Sequence, residues 1–96
     1  MQDEELKEAI MDALRKVIDP ETFIDVVTMG LILKLDVKGG NAEAVFRPSA
    51  PTCPLGVQLA YSVKKAIQDV DGVKSVKLTV VDYIMAKELN KMLEED

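Results

Sequence analysis

The sequence predicts an α+β domain with the element order α-β-β-α-β-α and a three-stranded sheet. Segments with apolar residues at three- and four-residue steps predict helices, and short segments of alternating apolar and polar residues predict strands. One face of the predicted strands carries charged residues, so only the other face is suited to burial. We therefore expect two layers, with the helices mainly on one face of the sheet. The length of 96 residues is typical of a single domain, spanning residues 1–96.

The first helix is predicted from about Asp3 to Ile18, because its apolar residues form one stripe. The members of that stripe are Leu6, Ile10, Ala13, Leu14 and Val17. Pro20 ends the helix, since the residue before a proline is disfavoured in the helical region. An irregular segment should follow as far as Gly30, with a short extended piece at residues 24–27.

Two strands are predicted around a tight turn at Gly39-Gly40-Asn41. Gly30 should open the first strand, which runs to Lys38, and the second should cover residues 42–47. The residues of the first strand expected to point inward are Leu31, Leu33, Leu35 and Val37.

The second half of the chain predicts a helix, a strand and a final helix. Pro54 suits the first position of a helix that runs to about Val70, and a glycine at position 72 ends it. The third strand should cover residues 73–81. Asp82 is expected to cap the last helix, from about Tyr83 to Glu95.

Composition excludes several classes of function. The net charge of −5 argues against binding to nucleic acid or to anionic membranes. No apolar run approaches the roughly 20 residues of a membrane span, and the acidic N-terminus lacks a signal-peptide pattern, so we expect a cytoplasmic protein. The chain has one cysteine and no histidine, which excludes Cys-His and Ser-His catalytic pairs and a closed zinc site within one chain.

Cys53 is the first candidate functional residue. It lies between two prolines, Pro51 and Pro54, at the predicted start of the second helix. Free N–H groups and the positive end of a helix stabilise a thiolate, the form that binds soft metals or attacks electrophiles. The alternative is that Cys53 is a small buried apolar residue, as many lone cysteines are.

The segment Asp19-Pro20-Glu21 is the second candidate. Its two carboxylates lie just beyond a predicted helix end, where they can accept hydrogen bonds, ligate a metal or steer a partner. The alternative is a solvated turn in which aspartate and proline only shape the backbone.

The sequence resembles the small metal–sulfur cluster assembly proteins of the SufT/PaaD type. The resemblance rests on four segments, which are Ala9 to Glu21, Ile24 to Ile32, Pro51-Thr52-Cys53-Pro54-Leu55 and Val70 to Val76. It implies an α+β fold with the cysteine on a loop before a helix, and a role in assembling or delivering iron–sulfur clusters to client proteins. By position it also implies that Asp19 and Glu21 lie near Cys53, with Thr52 as a further site residue.

The chain departs from this family in three places. Thr22 and Phe23 replace the aliphatic or glycine pair that is common after the glutamate. Ser49 and Ala50 stand where the family usually has a pair of threonines. Many members end the last strand with Asp-Pro-Pro-Trp, whereas this chain keeps Asp82 and continues as Tyr83-Ile84-Met85. The loop that lies near the cysteine in the family is thus expected to be missing, and the C-terminal helix is expected to cover the sheet or a dimer partner.

The resemblance and the single thiol together predict a carrier or assembly factor rather than an enzyme. A conventional cluster needs four ligands, so we expect Cys53 to ligate iron or an iron–sulfur cluster transiently at a shared, labile site. A second subunit, a client, the assembly machinery or a small thiol would supply the other ligands. Two alternatives remain open at this stage. One is an interaction adaptor that never touches metal, and the other is a thiol enzyme using Cys53 alone.

Overall fold

The computed structural model describes residues 2–19, 22–48, 52 and 56–95. Its elements follow the predicted order: α1 (Gln2–Leu14), β1 (Ile32–Lys38), β2 (Asn41–Phe46), α2 (Gly56–Gln68), β3 (Ser75–Val80) and α3 (Ala86–Glu95). The predictions for Pro20, Glu21, Cys53 and Pro54 lie outside the described residues.

The three strands form one mixed sheet with β2 in the centre. β1 pairs with β2 in an antiparallel hairpin, as the Gly39-Gly40 turn predicts. β3 pairs with β2 in parallel, and α2 makes the crossover between them. The predicted α+β class is confirmed.

One face of the sheet is buried and the other is polar. Along β2, buried residues alternate with more exposed ones, and Ala44 and Phe46 are fully buried. On the exposed face, polar residues of neighbouring strands lie side by side. For example, Asp36 of β1 pairs with Glu43 of β2, which in turn pairs with Lys77 of β3. This asymmetry is what a two-layer fold with helices on one face requires.

The core is mostly aliphatic, because each helix contributes one apolar stripe. The helical members of the buried cluster are Ile10 and Leu14 of α1; Leu59, Ala60, Val63 and Ile67 of α2; and Leu89 and Leu93 of α3. Phe46 of β2 is the largest fully buried side chain.

The first helix ends four residues earlier than predicted. α1 stops at Leu14, and the backbone of Val17 donates to the carbonyl of Leu14 in a tighter turn. Ile18 instead forms an isolated antiparallel bridge with Asp25. The chain after Leu14 therefore pairs with the segment around Asp25 instead of continuing α1 for another turn.

A bulge changes the predicted inward face of β1. The register shifts between Ile32 and Lys34, so Leu33 is an extra residue opposite β2. Leu33 is 48% exposed, and the prediction that it points inward is wrong. Leu35, beyond the bulge, is buried as predicted.

The final helix begins later than predicted and covers an edge of the sheet. Asp82 has a φ of 53°, in the left-handed region, so it does not cap a helix that begins at Ala86. From α3, the side chain of Asn90 accepts from the N–H of Val80 at 2.6 Å and donates to its carbonyl at 3.0 Å. The Nζ of Lys64, a buried residue of α2, donates to the carbonyl of Leu93 near the end of α3.

In the described part of the chain, no helix is both long and apolar enough to cross a membrane.

Candidate functional site

A short hairpin carries Asp19. The N–H of Asp19 donates to the carbonyl of Ile24 at 3.0 Å, and the N–H of Phe23 donates to the carbonyl of Asp19 at 2.8 Å. The hydroxyl of Thr22 accepts from the N–H of Ile24. Asp19 therefore does shape a turn, but its side chain does not behave as a solvated turn residue, because Asp19 is only 1% exposed.

Backbone hydrogen bonds place this hairpin at one end of the sheet. Val26, at the hairpin base, accepts from the N–H of Leu31, and Leu31 accepts from the N–H of Arg47 at the end of β2. The N–H of Val81, just beyond β3, donates to the carbonyl of Phe46 at 3.0 Å. The hairpin base, the start of β1 and the ends of β2 and β3 thus lie at a common end, which we call the loop end.

β2, the strand that precedes Cys53 in the sequence, ends at this loop end. β2 and β3 are parallel, so the segments that leave their carboxyl ends emerge side by side. The described residues that flank Cys53 most closely are Thr52, an exposed turn residue, and Gly56, the buried first residue of α2.

Tyr83 links the segment after β3 to the start of α2. A Cβ atom added at Gly56 would lie 2.9 Å from Cε1 and 3.0 Å from Cζ of Tyr83, so the ring packs directly on the glycine backbone. The segment after β3 therefore remains beside the beginning of α2, although it lacks the Asp-Pro-Pro-Trp sequence. The expectation that the C-terminal loop near the cysteine is missing stays a prediction, because Cys53 lies outside the described residues.

Asp25 adds a local electrostatic feature at the hairpin base. Its Oδ2 accepts from the N–H of Thr28 at 2.9 Å. Hydrogen bonding to the Thr28 side chain, and then to its backbone, holds the pKa of Asp25 below its usual range. The side chain of Asp25 thus stabilises the turn at residues 25–28.

The predicted site residues are only partly within the structure. Asp19 is buried in its hairpin and Thr52 is exposed, whereas Glu21 and Cys53 lie outside the described residues. Over the residues that the structure does describe, no three acidic, cysteine or histidine side chains gather into a metal-binding group. The meeting of Asp19, Glu21 and Cys53 stays a prediction.

Two neighbours of the candidate site were missed by sequence reasoning. The sequence predicts Tyr83 only as the first residue of the last helix, and it assigns Gly56 no role within α2. A glycine in the first turn of a helix, where no turn requires it, was the available signal for a close approach.

The chain matches the family model of the iron–sulfur cluster assembly protein over residues 7–80. An uncharacterized protein of Methanocaldococcus jannaschii is 38% identical over 90 residues, covering 93% of this chain and 95% of that protein. The Fe-S protein maturation auxiliary factor YitW of Bacillus subtilis is 36% identical, covering 82% of this chain and 78% of that protein. The crystal structure of the DUF59 domain from Bacillus anthracis covers the whole chain, with a TM-score of 0.77 and 25% identity.

Longer relatives contain a region similar to this chain. The iron–sulfur cluster carrier protein of Mycobacterium leprae is 34% identical over 96% of this chain, but the match spans only 25% of that protein.

The fold and the relatives define a class of non-enzymatic factors, because the relatives with functional names are called carriers or auxiliary maturation factors. Within that class, the chain belongs to the iron–sulfur cluster assembly protein family. The resemblance to the SufT/PaaD type is thereby confirmed.

Proposed function

We propose that this chain assembles or delivers iron–sulfur clusters, with Cys53 as one ligand of a shared, labile site. The observation that carries the proposal is the family match over residues 7–80, which includes all four candidate residues: Asp19, Glu21, Thr52 and Cys53. Relatives named as carriers and maturation factors support the same role.

The position of Cys53 before α2 supports its role as a ligand. The first N–H groups of a helix have no partner within the helix, and they favour a thiolate close to them. Thiolate is the ligand that iron–sulfur clusters use most. Asp19 and Glu21 would offer oxygen ligands to iron, and the Thr52 hydroxyl would donate a hydrogen bond to a sulfur atom.

A single thiolate leaves the cluster incomplete, and this suits a carrier. The remaining ligands would come from a second copy of the chain, an iron–sulfur client protein, the assembly machinery or a small thiol. A cluster held partly by exchangeable groups passes readily to a client that supplies its own ligands. A free thiolate of this kind requires a reducing compartment such as the cytoplasm.

Anaerobic reconstitution with ferrous iron and sulfide tests the proposal. We expect the wild-type protein to gain visible absorbance with bound iron and sulfide, and Cys53→Ser to lose most of both. A matched control moves the thiol rather than removing it: Cys53→Ser combined with Ser62→Cys places it at an exposed position of α2. The control should behave like Cys53→Ser. Equal amounts of bound iron and sulfide in wild type and in Cys53→Ser would contradict the proposal.

An interaction adaptor is the second candidate function, and two exposed apolar residues favour it. Phe23, at the hairpin, is 82% exposed, and Ile84, just before α3, is 72% exposed. Large apolar side chains in solvent are suited to a protein contact. If the adaptor function is correct, pull-downs of iron–sulfur client proteins will be unchanged by Cys53→Ser and weakened by Phe23→Ser.

A further inference from the structure

We propose that Phe23 is the anchor residue of a docking surface on the Asp19 hairpin, and that its partner is a protein with an apolar groove and a basic rim. The surface does not depend on metal binding at Cys53. That the partner gives or receives iron–sulfur clusters rests on the proposed function. Three features carry the inference: the backbone conformation of Phe23, the exposure of its ring and the charge of the surrounding segment.

The backbone of Phe23 has an unusual conformation for an aromatic residue. Its φ is 61°, in the left-handed region that bulky side chains rarely adopt. The N–H of Phe23 donates to the carbonyl of Asp19 at 2.8 Å, and the next N–H, of Ile24, donates to the Thr22 hydroxyl at 3.3 Å. Glycine or asparagine is the usual residue at a left-handed position in a turn. Phenylalanine is therefore less favourable for the hairpin than asparagine would be.

The ring of Phe23 does not offset this strain by packing into the fold. Phe23 is 82% exposed, and among the described residues it belongs neither to the buried core nor to the partly buried side chains packed against it. The hairpin contributes Val26 to the core instead. Residues held in strained conformations cluster at sites that bind ligands or partners. Binding therefore explains the ring better than stability does.

Two isoleucines extend the apolar surface around Phe23. Ile18 is 47% exposed and Ile24 is 45% exposed. They lie on the two arms of the hairpin, which are joined by the bridge between Ile18 and Asp25 and by the hydrogen bond from the N–H of Asp19 to the carbonyl of Ile24. Both arms and the turn between them thus expose apolar side chains. A hairpin of this kind suits a groove that encloses it.

The charge of the segment defines the rim of that groove. Residues 17–33 include three acidic residues and no lysine or arginine. Asp19 is buried, whereas Asp25 lies at the hairpin base, where hydrogen bonds from Thr28 favour its charged form. Negative charge beside exposed apolar side chains is complementary to lysine or arginine at the edge of a groove. The same charge opposes binding to an anionic bilayer, so the exposed apolar residues indicate a protein partner.

Photo-crosslinking of the full chain in its native host is the first test. We expect p-benzoylphenylalanine, incorporated in place of Phe23, to give a covalent adduct with a partner protein on irradiation. The same group in place of Met92 is the matched control, because Met92 is also apolar and 47% exposed but lies on α3. No adduct from position 23, or the same adducts from both positions, overturns the proposal.

Affinity measurements with the purified adduct partner are the second test. We expect Phe23→Asn to weaken binding at least about tenfold, since losing an aromatic anchor has a large effect. Met92→Asn should leave the dissociation constant unchanged. For the wild-type chain the constant should rise severalfold between about 0.1 M and 1 M salt, because salt screens the charges at the rim. An affinity that is insensitive to Phe23→Asn or to salt overturns the proposal.

The stability of Phe23→Asn separates binding from a structural role. Its midpoint of urea unfolding should be no lower than that of the wild type, because asparagine tolerates the left-handed conformation. A clearly lower midpoint would assign the ring to the fold and overturn the proposal. Self-association in sedimentation velocity, or binding to phosphatidylcholine vesicles, would overturn it too if Phe23→Asn abolished either one.

Anaerobic reconstitution of the same proteins distinguishes this inference from the proposed function. If the wild-type protein binds no iron and sulfide but Phe23→Asn loses the partner, the docking surface stands and the cluster proposal fails. If the wild-type protein binds both but position 23 gives no adduct, the docking surface fails and the cluster proposal stands.

Discussion

Asp25 shows how one carboxylate organises the turn that follows the Asp19 hairpin. It accepts hydrogen bonds from Thr28, and these bonds hold its pKa below the usual range. The interaction favours the charged form of Asp25, so it stabilises the folded chain only while that group is ionised.

We predict a pH-dependent difference in stability between wild type and Asp25→Asn. The folded-state pKa is lowered, so the stabilisation is fully present above the unfolded pKa of about 3.9 and is lost as the pH falls through the folded-state pKa. Urea denaturation at a series of pH values should show wild type as the more stable protein near neutrality, with the difference vanishing in acid. Thr28→Val, which removes the largest cause of the lowered pKa, should reduce this pH dependence. A difference that is the same at neutral and at strongly acidic pH would contradict the prediction.

The burial and contacts of single residues were predicted from the sequence only in part. Residue periodicity predicts which positions are buried, and it assigned Ile10, Leu14 and Leu35 correctly. It misplaced Leu33, because an extra residue in a strand changes which positions face inward and leaves no trace in the local pattern. The contact of Tyr83 with Gly56 joins residues far apart in sequence, and no local pattern reports such a contact.

At the scale of elements, α3 takes the place of a missing fourth strand. Its Asn90 side chain gives the backbone of Val80 both an acceptor and a donor, as a neighbouring strand would. Val80 is only 2% exposed, so water cannot easily replace these hydrogen bonds.

We predict that Asn90→Ala lowers the free energy of unfolding by about 1–3 kcal/mol, because it leaves buried backbone groups of Val80 without partners. Chemical denaturation measures the loss. Lys91→Ala, at the adjacent exposed position of the same helix, is the control and should change stability by less than about 0.5 kcal/mol. An Asn90→Ala variant as stable as the control would show that α3 is held by its apolar residues alone.

The order of the elements was predictable, but two helix ends were not. Apolar periodicity locates α1, α2 and α3, because each helix must bury one stripe. The end of α1 depends on pairing between Ile18 and Asp25, and the start of α3 depends on the left-handed Asp82. Both are decided by backbone contacts and conformation that side-chain patterns do not encode. Of the site, the sequence identified the candidate residues, and the hydrogen bonds showed that the Asp19 hairpin and the end of β2 lie at the same end of the sheet.

At the scale of the whole molecule, stability depends on a small core in which Phe46 is the largest fully buried side chain among the described residues. Phe46 is fully buried, and its carbonyl also accepts from the N–H of Val81. Domains of this size are stable by only about 5–15 kcal/mol, so the loss of one such side chain is a large fraction of the total.

The two phenylalanines of the chain give a matched comparison. We predict that Phe46→Ala lowers the free energy of unfolding by about 3–5 kcal/mol, since it removes buried apolar surface and leaves a cavity. Phe23→Ala should change it by less than about 0.5 kcal/mol, because Phe23 is 82% exposed and alanine keeps the Cβ atom in the same backbone conformation. Thermal or urea unfolding measures both, and equal losses would contradict the assigned core.

The covered edge of β3 also limits how two copies of the chain can associate. α3 occupies the outer side of β3, and the opposite edge strand, β1, carries a bulge at Leu33 and the charged residues Lys34, Asp36 and Lys38. Bulges and charges on an edge strand discourage pairing with a strand from another molecule. The sheet is therefore poorly suited to growing sideways into a dimer or an aggregate.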